Sequence, residues 1–113
     1  MFLLLTLVVP SSAPINITVT QISARSISIS WLPIPLQDQN GVIIKYEITY
    51  YSSKWMLENS LQVDGNLTTA ILDKLLPFTT YNITITAATT IGYGPTSNSI
   101  FANTSQSCKR LHY

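Results

Sequence analysis

The residues that could do chemistry are few and scattered. His112 is the only histidine and Cys108 the only cysteine, and both sit in the C-terminal tail. The acids are Asp38, Glu47, Glu58, Asp64 and Asp73. A hydrolytic triad needs a base beside a nucleophile and a carboxylate to orient it. Nothing in the spacing brings His112 back to such a pair, so it reads as a solvated tail residue. The acids lack the close alternation that a calcium loop demands, and no glycine-rich phosphate loop is present. A single cysteine excludes an internal disulfide and a cysteine-based metal site. The expectation is a non-catalytic chain with no cofactor and no metal.

One covalent signal stands out. Asn16, Asn66, Asn82 and Asn103 each open an Asn-x-Ser/Thr sequon. Seven asparagines among 27 serines and threonines in 113 residues would give about 1.7 by chance. Strands that fill outward positions with Thr and Ser raise that background. Alternation nevertheless points Asn16 and Asn82 away from the core, and Asn66 follows the Asp64-Gly65 turn. Glycosylation at one or more of these sites is therefore expected, with a secreted or cell-surface setting.

Composition bounds the rest. Apolar residues make up 46% and charged ones 10%, which suits one folded domain rather than a disordered chain. The formal net charge is +1, and no basic cluster exceeds Lys109-Arg110, so nucleic acid is not an expected partner. Met1 to Val9 is apolar but far short of the roughly 20 residues that span a bilayer. Residues 1–13 read as a leader, with Ser11-x-Ala13 as a small-residue cleavage pattern, or as an inter-domain linker bounded by Pro10 and Pro14. Residues 14–105 then form the domain and 106–113 a polar tail.

The elements that would hold these residues are short strands. Ile17 and Val19 alternate in Ile15 to Thr20, and Ile27, Ile29 and Trp31 in Ser26 to Leu32. Leu32 to Gly41 carries loop residues. Val42 to Tyr51 aligns Ile44, Tyr46, Ile48 and Tyr50. Leu61 to Val63 is a short candidate, and Thr68 to Leu72 turns Ala70 and Leu72 inward. Tyr81, Ile83, Ile85 and Ala87 share one face of a long run. Ile91 to Pro95 reads as a hairpin-like loop, and Ser99 to Thr104 as the last strand. Every proline and glycine falls between these segments. Seven strands without a helical period predict an all-β, two-sheet Greek-key sandwich with Trp31 and Tyr46 as the bulk of its core. Leu75, Pro77, Thr79 and Tyr81 fall at two-residue intervals before the longest strand. Pro77 bars a strand interior there, and a Tyr at such a corner can bury its ring and bond a backbone group in the turn.

These residues together resemble the fibronectin type III domain, an immunoglobulin-like sandwich, from about Pro14 to Thr104. The resemblance rests on Pro14, Asn16, Thr18 and Val19, then Ile27, Ile29 and Trp31. It continues through Gly41 with Tyr46, Ile48 and Tyr50, the Leu75–Tyr81 corner, Ala87, Gly92 to Pro95, Ser97 and Thr104. Phe78 stands where the family often has Gly. No Arg-Gly-Asp tripeptide is present, nor the Trp-Ser-x-Trp-Ser motif of cytokine receptors. Val42 to Tyr46 is similar to repeats of neural adhesion proteins and receptor-type tyrosine phosphatases.

The resemblance implies a protein-interaction and spacer module of an extracellular adhesion or receptor protein. Its partners would be neighbouring domains or other cell-surface proteins. An intracellular scaffold module and a small stand-alone secreted binder are the alternatives. Trp55, Met56 and Tyr93 are the candidate partner contacts, since aromatics and Met are enriched at binding hot spots. Trp55 has a competing use in covering a sheet face. The loops Pro33 to Gly41 and Ile91 to Pro95 are expected at one end of the sandwich.

Overall fold

The computed structural model describes residues 8–106; Met1 to Leu7, Cys108 and His112 lie outside the described residues. Eight strands follow in order: β1 (Ile15–Ile22), β2 (Ile27–Leu32), β3 (Lys45–Ser52), β4 (Leu57–Asp64), β5 (Thr69–Leu72), β6 (Thr80–Ala88), β7 (Tyr93–Thr96) and β8 (Ile100–Asn103). A single helical turn, α1 (Leu36–Gln39), lies between β2 and β3. Three strands form one sheet in the order β1-β2-β5. The other has the order β4-β3-β6, with β7 and β8 both paired to β6. All pairs are antiparallel.

Two-residue alternation builds the space between the sheets, because successive side chains in a strand point to opposite faces. Ile27, Ile29 and Trp31 enter it from β2, Tyr46 and Ile48 from β3, and Tyr81, Ile83, Ile85 and Ala87 from β6. Trp31 is 3% exposed. Its ring meets Tyr46 edge to face, with centroids 5.2 Å apart and planes at 67°. Burial pushes the Tyr46 phenol above its usual pKa of 10.0, and the nearby Trp31 indole partly offsets that. The indole Nε1 is nevertheless buried without a well-formed hydrogen bond.

The chain crosses from the three-stranded sheet to the five-stranded sheet between Leu72 and Thr80. Leu75 is buried there, and its N–H donates to Arg25 O at 3.0 Å. The Tyr81 hydroxyl accepts from the Leu76 N–H at 2.9 Å. That bond closes a tyrosine corner around Pro77. Burial, then the Asp73 carboxylate and then Tyr81, raise the pKa of Tyr50, whose ring stands 6.3 Å from that of Tyr81.

Several elements differ from the sequence reading, each for a local reason. The last strand, β8, lies where Ser99 to Thr104 was expected, but an additional strand, β7, precedes it and is separated from it by Ser97. Its N–H donates to Ile85 O at 2.9 Å while its Oγ accepts the Ile85 N–H at 2.8 Å, so side chain and backbone share one ladder position. Tyr93 to Thr96 is strand rather than loop, and it carries Gly94 and Pro95. An edge strand tolerates proline because one side of its backbone has no partner. β3 begins at Lys45, and Ile44 is exposed while Ile43 packs on the core. Gly65 packs over this stretch, where an added Cβ would overlap the Ile43 carbonyl, and its N–H donates to Ile44 O at 3.0 Å. β4 runs eight residues, not three, pairing with β3 position by position. Its polar Glu58-Asn59-Ser60 start hid the alternation. The turn α1 interrupts the loop after Pro35 and ends on Asn40 in the left-handed region at φ 57°.

Replacing Tyr81 by Phe removes only the corner hydroxyl. Chemical denaturation should show a loss of about 1–2 kcal/mol with an unchanged denaturant slope. An unchanged midpoint would show that the corner bond carries no stability.

Candidate functional site

Strand register defines two poles. Ile15 lies opposite Leu32, and Lys45 opposite Ala88, at the N-terminal pole. Ile27 lies opposite Leu72, and Thr80 opposite Asn103, at the C-terminal pole.

At the N-terminal pole the chain's own lead-in lies against the loops. Ser11 N–H donates to Asp38 O at 2.8 Å, Asn40 Nδ2 to Val9 O at 3.1 Å, and Thr89 Oγ1 to Val8 O at 3.0 Å. Pro10 is fully buried, and an added Cβ on Gly94 would come within 2.6 Å of the Pro10 carbonyl oxygen. Gly94 is therefore glycine because backbone passes over it. The segments 33–41 and 91–95 lie at this same end, since both contact residues 9–11. Leu36, Val42 and Ile91 remain exposed beside them.

Tyr93 does not top a loop. It opens β7 opposite Ala88, with the Lys45 ammonium 5.2 Å from its ring centroid and its hydroxyl accepting from Gln62 Nε2 at 3.3 Å. Long side chains of the outer sheet face thus hold this ring.

The C-terminal pole carries the larger aromatic cluster. Trp55 and Met56 occupy the β3–β4 turn and are 50% and 74% exposed. The Trp55 indole N–H donates to Thr79 Oγ1 at 3.4 Å, and its backbone N–H to Ser52 Oγ at 3.3 Å. One edge of the indole is thereby tied to the corner, the Lys54 ammonium stands 5.2 Å from its ring centroid, and about half of the residue faces solvent. The Tyr51 hydroxyl donates to Met56 Sδ at 3.2 Å. Phe78 and Phe101, neither of them named as a partner contact from sequence, are 67% and 68% exposed. Phe101 had a signal: Ile100 and Ala102 inward force it outward. Phe78 had one too, since a side chain at a habitual glycine position sits in a turn.

Two shallow hollows share Thr80 as a wall, one of about 240 Å³ against Phe78 and Asn103 and one of about 120 Å³ against Tyr51, Asn82 and Phe101. Both fall below the roughly 300 Å³ at which small-molecule sites begin. A broader open groove of about 380 Å³ beside Pro14, Asn16 and Asn98 has no charged side chain in its lining. Among the described residues no cluster of three or more His, Cys, Asp or Glu could hold a metal ion.

The sequons fall on different surfaces. Asn66 is exposed in the β4–β5 turn, where its N–H donates to Asp64 Oδ1 at 2.9 Å. Asn16 is exposed on β1 with φ 55°, and Asn103 is exposed on β8, accepting from Thr80 Oγ1 at 2.6 Å. Asn82 is half-buried, and its Oδ1 is enclosed without a partner.

Phe78 has φ 53°, in the left-handed region, where an L-residue costs about 1–2 kcal/mol. Glycine removes that cost but adds entropy to the unfolded chain. Phe78→Gly should therefore raise stability by about 0.5–1 kcal/mol in urea titration. A loss would mean that the exposed ring contributes packing the geometry does not show.

Comparison with known proteins agrees with this architecture. A sequence model of the fibronectin type III domain matches residues 12–103. The tyrosine-protein phosphatase Lar of Drosophila melanogaster is 36% identical over 98 residues, covering 87% of this chain and 5% of Lar. Contactin-3 of Rattus norvegicus is 34% identical over 97 residues, covering 84% of this chain and 9% of contactin-3. The solution structure of the fn3 domain of human contactin 1 superposes with a TM-score of 0.79 at 30% identity, covering 92% of this chain and 86% of that one. The chain thus spans less than a tenth of the length of either relative. With its sheet order, its tyrosine corner and these matches taken together, the chain belongs to the fibronectin type III family.

Proposed function

We propose that this chain is a non-catalytic spacer and protein-interaction module of an extracellular adhesion or receptor protein. The observation that carries the reading is that the described chain is tied down at both poles. Residues 8–12 are bonded into the N-terminal loops. At the other pole Ser105 N–H donates to Ser23 O at 3.0 Å, and Ser105 O accepts from Phe78 N–H at 2.9 Å. Thr104 is buried beside them, with its Oγ1 donating to Leu76 O at 2.7 Å and accepting from Thr79 N–H at 2.9 Å. A module whose lead-in and exit are fixed at opposite ends transmits a defined direction to what it joins, unlike one on free linkers.

The similarity to repeats of Lar and contactin-3 supports the receptor and adhesion setting. Domains of this kind act through protein partners, and the exposed Trp55, Met56, Phe78 and Phe101 cluster is the surface we assign to such contact. Tyr93 is a weaker contact, being already engaged by Lys45 and Gln62. Asn16, Asn66 and Asn103 are the glycan acceptors we favour, because their side chains are exposed at an edge, a turn and a strand end. Asn82 is less favoured because it is half-buried.

Mass spectrometry of the native protein, with and without enzymatic deglycosylation, tests the setting. Occupancy of at least one of Asn16, Asn66 and Asn103 is expected. Four unmodified sequons would overturn the extracellular reading and favour an intracellular scaffold module.

A further inference from the structure

We propose that the free edge of β4 pairs with the same strand of a second copy of this chain, in antiparallel register centred on Ser60. An edge strand presents unpaired N–H and C=O groups, and folded proteins guard such edges with proline, bulges, short strands or charged side chains, lysine above all. This sandwich has four edges, in β1, β5, β4 and the β7–β8 pair. Three are guarded. β1 has two register irregularities and Asn16 in the left-handed region. β5 is only four residues long. β7 carries Pro95, and the strand then breaks before β8.

β4 has only two acids of this kind, Glu58 near one end and Asp64 at the other, which leave its middle unguarded. It runs eight residues, LENSLQVD, without proline, glycine or lysine, and it pairs with β3 at every position from Leu57 to Asp64. No sequon lies within it; Asn66 follows in the turn.

Symmetry and charge then select the register. Two copies related by a two-fold axis through the sheet keep their core faces on one side only when some residue faces itself. Centring on Leu61 would set Glu58 against Asp64 twice, placing like charges opposite each other. Centring on Asn59 leaves only five residues paired. Centring on Ser60 pairs Leu57 through Val63, setting Glu58 against Gln62, Leu57 against Val63 and Asn59 against Leu61. That arrangement opposes no like charges, and it joins the two five-stranded sheets into one of ten strands. It goes beyond the spacer reading, because it adds contact between like chains.

Sedimentation of the full chain over a rising concentration series tests this, with two variants. The wild type should form dimers reversibly. Ser60→Lys sets two ammonium groups against each other at the axis, and should weaken association at least about threefold with the monomer's melting temperature unchanged. In a C108S background, S60C should give a disulfide-linked dimer under mild oxidation, while S28C, on the outer face of the other sheet, should not. A wild type monomeric up to about millimolar, a dimer indifferent to Ser60→Lys, or S60C that fails to cross-link would overturn the proposal. None of these outcomes bears on glycan occupancy, so the spacer reading stands or falls separately.

Discussion

The edge-to-face contact between Trp31 and Tyr46 is the constraint on which the sandwich depends. Trp31 belongs to the three-stranded sheet and Tyr46 to the five-stranded one, so their rings set the spacing between the layers. Each buried aromatic removes roughly 150–250 Å² from water, or about 4–6 kcal/mol as an upper figure.

Around that contact the chain must change sheets without exposing its backbone. The corner at Leu75 to Tyr81 solves this with local bonds, and it also receives the chain's exit through Thr104 and Ser105. One consequence is functional. Residues that fasten the corner also bring Trp55 and Phe78 to the same end, because the Trp55 indole is bonded to Thr79. Fold stability and the exposed aromatic surface thus share a few residues, which limits how freely either can vary.

The legible part of the molecule was the part with a strict period. The inward sets of β2, β5 and β6 followed from alternation, since a one-residue slip would place every side chain on the wrong face. Elements shaped by long-range contact were not legible. The need for glycine at position 65 arises only because that residue lies over the Ile43 carbonyl, a contact between segments far apart in the chain. The extra strand β7 was read as loop, and Ser97 fixes its end through a bond to Ile85, twelve residues away. β4 was read short because an edge strand buries little, and its outward Glu58 and Ser60 have no apolar rhythm. At the candidate surface, Trp55 and Met56 were visible as residue types. The positive φ at Met56 and Phe78 was not, because bulky side chains rarely occupy that region.

The layered core is tested most directly by the fluorescence of Trp31 alone, in a Trp55→Phe protein, since the chain has only two tryptophans. A tryptophan clamped between the sheets should emit at short wavelength and resist quenching by acrylamide until the protein unfolds. Emission at the wavelength of tryptophan in water, quenched freely under native conditions, would contradict the account at its centre.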